Sequence, residues 1–389
     1  MMSAPVPSEK PQRLVSLDAF RGFTMLAMAS HGLGIVQMAK KQPDSLWARM
    51  APQLQHAEWI GCTVWDIIMP AFLFIVGVAM PFSFARRAAE GQSWWRQWAH
   101  AIVRAMVLVL LGVMLSSQNS RNYVFTNTLA QIGLGYAFVF LLIGRHWRAQ
   151  LAVLATILAG YWLAFALYPV PPADFDYAKV GAKGGEVLSG FWAHWTKNTN
   201  LAAAFDRWFL NQLPQAKPFV FSSGGYHTLN FVPAMANMIL GLMAGEMLRR
   251  ETSNGRRLRW LALVGATCLA LGWLAGHTIC PMVKRIWTPS FALWSAGWTL
   301  WLLAVFYAVI DAAGLKRWSF PLVVVGMNSI AMYLMSQLWT GWIRTFLKTH
   351  ITAEFYRGPY GPMWEQTGVL LVLWLVCWWL YRQRAFLKI

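Results

Sequence analysis

Apolar residues run along this chain in about ten long windows, each near the ~20 residues a helix needs to cross a bilayer. The windows lie at roughly 17–38, 64–84, 101–117, 127–144, 150–169, 228–248, 258–279, 289–311, 319–341 and 364–381. No strand-like alternation competes with them. The pattern predicts an all-α, polytopic membrane protein in which residues 1–389 form one transmembrane unit.

The breaks between windows give the orientation. One set of loops is short and basic: Arg86, Arg87, Arg96, Arg145, Arg148, Arg249, Arg250, Arg256, Arg257, Arg259, Lys316 and Arg317, with Arg382, Arg384 and Lys388 in the tail. The opposite loops are longer and poorer in Lys and Arg. The positive-inside rule then places both termini in the cytoplasm and His56 on the outer, periplasm-like face. One long outer connection, about 170–227, contains "PVPPADFDYAKVGAKGG" and "AAAFDRWFLNQL". It reads as a small cap, as re-entrant helices or as a plain linker; a loop of this length is more often functional than idle.

Composition agrees. Charged residues make up 12% of the chain and hydrophobic ones 57%, whereas soluble domains carry about 25% charged residues. The net charge of +18 sits in loops between spans, not on a solvated basic face with a recognition motif, so nucleic acid is excluded as a partner. The polar start, and Asp18 and Arg21 inside the first apolar window, argue against a cleavable signal peptide. Cys62, Cys268, Cys280 and Cys377 show no metal-like spacing. Cys62 and Cys280 share the outer face, which permits a disulfide, although unpaired buried thiols are the default.

Candidate chemistry concentrates in "QHAEWIGCTVWDIIMPAFLFIVGV", where His56, Glu58 and Asp66 crowd the mouth of the second span. Ionisable groups at such depth pair or line a wet cavity. A kink at Pro70 would free the carbonyl of residue 66 and open a cavity beneath His56; a plain kink with Asp66 as a cap is the alternative. Pro233 repeats the device in the sixth span. In "SLDAFRG", Asp18 and Arg21 share a helix face, either as an anchoring ion pair or as a holder of an anionic group. His31, Asn328, Ser329 and Gln337 are polar groups within apolar segments, with helix–helix hydrogen bonding as their ordinary role. Lys284, Trp287 and Ser290 precede the eighth span, where Trp is commonly an interface anchor. His56, His227 and His277 lack metal-ligand spacing, and no G-x-S-x-G elbow is present.

Several stretches together resemble the heparan-α-glucosaminide N-acetyltransferase family of transmembrane acyltransferases: "RLVSLDAFRGFTMLAM", "QHAEWIGCTVWDIIMPAFLFIVGVAM", "TLAQIGLGYAFVFLL", "KRIWTPSFAL", "GMNSIAMYL" and "YRQRAFLKI", in order along nearly the whole chain. Family members of the lysosome carry an additional luminal domain and span before this region, so the resemblance points to a bacterial, inner-membrane member. It implies transfer of an acetyl group from cytosolic acetyl-CoA to the amine of a glucosamine-type sugar or glycan on the outer face. His56 matches the family's proposed catalytic histidine. An imidazole can act as general base or carry the acetyl group itself, with Glu58 or Asp66 orienting it. Asp18, Arg21, His31, Trp59, Lys284, Trp287 and Asn328 become candidates for substrate binding. Arg86, Arg87 and Arg104, with Arg145, become candidates for the CoA phosphates. No metal is implied, and the assembly is open, a homodimer included. Two departures stand out. Ser30 replaces the family's asparagine at the end of the first span, and "GGYHTLNF" replaces an acidic D-P-E-G stretch. Arg21 to His31 also falls one residue short of the spacing in related O-acyltransferases. The alternative is an amino-sugar transporter, since five plus five spans with prolines at Pro70 and Pro233 suit an inverted repeat. A purely structural scaffold leaves the His56–Asp66 cluster unexplained.

Overall fold

The computed structural model describes residues 14–351 and 354–387. Lys388 of the basic tail and the polar stretch 1–13 lie outside the described residues. The chain folds as an all-helical membrane protein. Its principal helices are α1 Val15–Ala29, α2 Ile68–Ala89, α3 Trp94–Ser116, α4 Thr128–Phe140, α5 Trp147–Leu167, α6 Leu201–Phe209, α7 Phe231–Arg250, α8 Asn254–Thr278, α9 Pro289–Phe306, α10 Phe320–Met327, α11 Ser329–Leu338 and α12 Gly361–Arg382. Among the described residues no strand forms; Gly61 and Val283 make one isolated parallel bridge.

Among the described residues seven helices are long and apolar enough to cross a membrane, and the bent pair α10–α11 counts as an eighth if it is taken as one span. The other two expected windows hold shorter helices, α1 with 15 residues and α4 with 13. At 1.5 Å per residue these reach only about 20 Å, against a hydrocarbon core of about 30 Å. The first window is therefore not one span to residue 38. Gly32, Leu33 and Gly34 adopt left-handed angles after α1, and the chain restarts as a short helix, Ile35–Lys41. Hydropathy registers their apolarity and not their backbone.

Close packing relies on glycine. A methyl group at Gly77 of α2 would overlap the Met238 carbonyl of α7, and one at Gly326 of α10 would overlap the Asp18 carbonyl of α1. Small residues let the backbones of such membrane helices approach.

Pro70 makes no interior kink. It falls in the first turn of α2, where helical N–H groups have no intrahelical acceptor. Pro233 sits likewise in the first turn of α7, and Pro81 is the proline inside α2. This removes the pair of interrupted helices on which the transporter alternative relied.

The 170–227 connection forms a cap of short turns around α6. Trp59, Tyr161, Phe165, Trp195, Ala202, Cys280, Val283 and Ile286 form an apolar core beneath it. That core joins the loop carrying His56 to the loop carrying Lys284.

Candidate active site

The site assembles from two loops at one end of the bundle. Gly61, at φ 118°, donates its N–H to the Met282 carbonyl at 2.8 Å and so fixes the loops side by side. Arg285 reinforces the seam, donating to the Gly224 carbonyl at 2.9 Å and to the Ala57 carbonyl at 3.4 Å. Thr63 and Asp66 form a capping box on the turn that leads into α2. The T-x-x-D spacing at 63–66 was a visible signal for it, since a side chain at each end satisfies an orphan backbone donor.

Asp66 is wholly buried and is the hub of the site. Its Oδ2 accepts from the backbone N–H groups of Ala57 (3.2 Å) and Thr63 (3.1 Å) and from the Thr63 hydroxyl (3.1 Å). Its Oδ1 lies 2.7 Å from His56 Nδ1 and 3.2 Å from Lys284 Nζ. A carboxylate only accepts, so the short contact is an Nδ1–H donation. That tautomer leaves the Nε2 lone pair available. Lys284 Nζ also stands 2.9 Å from Nδ1. Burial lowers the Lys284 ammonium below the ordinary lysine value, with Asp66 opposing the shift. Burial pushes the neighbouring Tyr226 phenol up to about 12. The Cys62 thiol also rises to about 12, chiefly through burial.

The sequence-predicted residues separate into distinct places. His56, Asp66 and Lys284 meet. Glu58 is exposed and makes no contact with His56, so Asp66 is the orienting carboxylate. Trp59 is buried under the cap and donates its indole N–H to the Trp195 carbonyl. Trp287 is no interface anchor: it is buried, left-handed at φ 49°, and donates to Asn237 Oδ1. Cys62 and Cys280 are free thiols. His227 pairs with Asp206 beneath the cap, and His277 bonds the Trp273 carbonyl of its own helix. Arg21 lies in the middle of α1 and His31 just past its C-terminal end, and only Arg21 lines the cavity described next. His31 is exposed.

Asp18, Arg21, Arg86, Arg87 and Arg104 instead gather around a polar cavity of about 580 Å³. It runs from Arg86 along α2 to Phe72, and includes Thr128 and Tyr333 near the other end of the bundle. Arg21 Nη1 lies 3.4 Å from Asp18 Oδ1. Arg104 lies over the Tyr136 ring, 4.9 Å from its centroid, and its buried Nε has no partner among the described residues. Asn328 occupies the break between α10 and α11, bent by 69°, and accepts the Leu387 N–H through Oδ1. Arg145 is exposed and outside the cavity lining. His100, Ser83, Thr128 and Tyr333 also line this cavity and had not been singled out; nothing in their sequence spacing distinguishes them. Short and broken helices surround the cavity, where irregular backbone is tolerated at membrane depth. Neither His56, Asp66 nor Lys284 lines it; Phe72 lies roughly 9 Å of helical rise from Asp66.

No family model matches the chain. Two curated relatives do. The chain is 25% identical to heparan-alpha-glucosaminide N-acetyltransferase of Homo sapiens over 437 aligned positions, covering 98% of this chain and 61% of that protein. It is 24% identical to the Mus musculus protein of the same name over 429 positions, covering 97% of this chain and 60% of that one. The chain thus spans about three fifths of the length of these relatives. In agreement with its motifs, the chain is similar to heparan-alpha-glucosaminide N-acetyltransferase along nearly its whole length.

Proposed function

We propose that this protein transfers an acetyl group from acetyl-CoA, bound from the Arg86 end, to the amine of a glucosamine-type acceptor at the His56 end. The observation that carries the reading is His56 held by Asp66 with Nε2 available, on a bundle whose other end opens a polar, arginine-lined cavity. The unpartnered Arg104 Nε, together with Arg86 and Arg87, suits the CoA phosphates, which guanidinium groups bind through charge-assisted hydrogen bonds. The acyl-bearing arm extends along α2 and passes Phe72 to bring the thioester to His56. The acceptor nitrogen attacks the thioester carbonyl carbon, and Nε2 takes the amine proton. The C–S bond then breaks, and the thiolate recovers that proton from the imidazolium, leaving an amide and free CoA. Asp66 holds the imidazole tautomer and offsets its charge, while Lys284 holds Asp66. The orientation that goes with this reading puts the Arg86 end in the cytoplasm of a bacterial inner membrane.

The test is label transfer by the purified full chain. With acetyl-labelled acetyl-CoA, label should reach glucosamine as N-acetylglucosamine. Absence of transfer, combined with accumulation of unmodified sugar in proteoliposomes, would return the transporter. In the same assay Arg104→Gln should raise KM for acetyl-CoA about tenfold or more, as expected for a lost hydrogen bond to a charged group, with less effect on kcat. An unchanged KM removes Arg104 from the donor site.

Lys284 sets a pH dependence. Its depressed affinity for the proton means that the cation beside Asp66 is lost at a lower pH than for a free lysine. The alkaline limb of kcat/KM should therefore lie below the ordinary lysine range. Lys284→Arg, whose guanidinium stays charged, should move that limb to higher pH. A limb unmoved by this change assigns it to another group among those facing Lys284, namely His56, Cys62, Tyr226 and Arg285.

A further inference from the structure

A second cavity, of about 590 Å³, lies on the opposite face of the first turns of α2. Ile68 and Ala71 face this cavity, while Phe72 and Ile75 face the arginine-lined one. Its other walls come from α1, the segment around Leu54, and Trp294, Trp298 and Leu302 of α9. Few polar side chains reach it, and most are already occupied. The Thr24 hydroxyl bonds the Phe20 carbonyl, the Ser30 hydroxyl bonds the Ala27 carbonyl, and Gln53 Oε1 accepts the Val64 N–H. The cavity therefore offers a sugar almost nothing to hydrogen-bond, and it suits hydrocarbon.

Its position selects which hydrocarbon. From Trp294 to Leu302 it extends roughly 12 Å down the helix axis, from the level of the α2 N-terminus into membrane depth. At the upper end its wall is Cys62–Thr63. Thr63 also gives Asp66 two hydrogen bonds. The apolar groove is thus continuous with the acid–base cluster through one short segment. A chain seated in the groove leaves its headgroup at that segment, beside His56.

We propose that this groove holds the hydrocarbon chain of a lipid whose headgroup carries the acceptor amine, so that the acceptor is a lipid-linked amino sugar. The proposal rests on the acetyl-transfer reading and names the acceptor class for it.

The test uses the full chain in nanodiscs with acetyl-CoA and a series of glucosaminides bearing methyl, butyl, octyl or dodecyl groups on the anomeric oxygen. The value of kcat/KM should rise roughly fourfold per added methylene, as buried CH₂ groups add affinity, and level off once the chain outruns the groove. Ala27→Trp, on the α1 wall, should bring the ratio of dodecyl to methyl rates back towards one. Leu302→Trp does the same from α9 should the first variant fail to fold. A flat series in the wild type overturns the proposal. So does a rise that both groove-filling variants retain, because partitioning into the bilayer then accounts for it and the groove holds bulk lipid alone. Transfer to no acceptor at all, the methyl glucosaminide included, is a different result: it defeats the acetyl-transfer reading itself.

Discussion

Asp66→Asn should both destabilise the protein and abolish most of its transfer activity. The carboxylate receives the backbone of Ala57 and Thr63, the Thr63 hydroxyl, His56 and Lys284. An amide offers one oxygen to these donors and turns its own NH₂ towards others. The buried ammonium of Lys284 also loses its counter-charge. Breaking one side of a buried ion pair removes about 3–5 kcal/mol. The lower end applies here, because Lys284 already holds its proton weakly and can release it. A loss of about 3 kcal/mol would lower the unfolding midpoint by roughly 4 °C, readable by thermal melting of the detergent-purified chain. Activity should fall on the order of 10³–10⁴, since the imidazole loses the partner that sets its tautomer. The double variant Asp66→Asn with Lys284→Met separates the two effects: the midpoint should largely recover while activity should not. Wild-type stability in the single variant would defeat the account of Asp66 as the hub.

His56→Ala should show the opposite division. The side chain is 40% exposed and lies at the rim, so the fold should hold and the melting midpoint should move little. Turnover should drop about 10²–10⁴-fold, the usual contribution of a positioned acid–base group, with donor affinity unchanged because the cavity walls do not include His56. A variant within tenfold of wild type would remove His56 from the chemistry. The same preparation distinguishes the two ways an imidazole can act. Wild type mixed with labelled acetyl-CoA and no acceptor, then quenched, should carry label on His56 if Nε2 takes the acetyl group itself. An unlabelled protein that still transfers to glucosamine assigns His56 the role of base.

Much of this was readable in the chain because hydropathy and short-range spacing report what neighbouring residues share. The helical segments, the basic breaks and the T-x-x-D entry to α2 are of that kind. Errors arose where a shift of a few residues or a left-handed angle decided the outcome. Pro70 reads as a kink if the α-helix starts at 64, and as an ordinary first-turn proline because the Thr63–Asp66 box opens a 3-10 turn, Val64–Ile67, and the α-helix starts only at Ile68. Gly32–Leu33–Gly34 looks as apolar as its surroundings but ends α1. Trp59 and Trp287 read as candidates for substrate binding, with Trp287 also an interface anchor, yet both indoles are buried by partners far away in sequence. Lys284 reads as one of the substrate-binding candidates, and only the Gly61–Val283 bridge puts it on Asp66.

That long-range pairing bears on how the protein is made. His56 and Asp66 are ten residues apart, but Lys284 is separated from His56 by 228. At synthesis rates of about 5–20 residues per second, the lysine follows the histidine by on the order of 10–45 s. Throughout that interval the nascent chain holds a carboxylate at the head of α2 without the cation that later neutralises it. Burial of Asp66 must therefore wait for α8 and the turn after it to be inserted. The His56–Asp66–Lys284 cluster can close only once Lys284 has been made, with α9 to α12 still to follow, and a chain stalled before Lys284 leaves an acidic, solvent-seeking helix mouth as a mark of incomplete biogenesis.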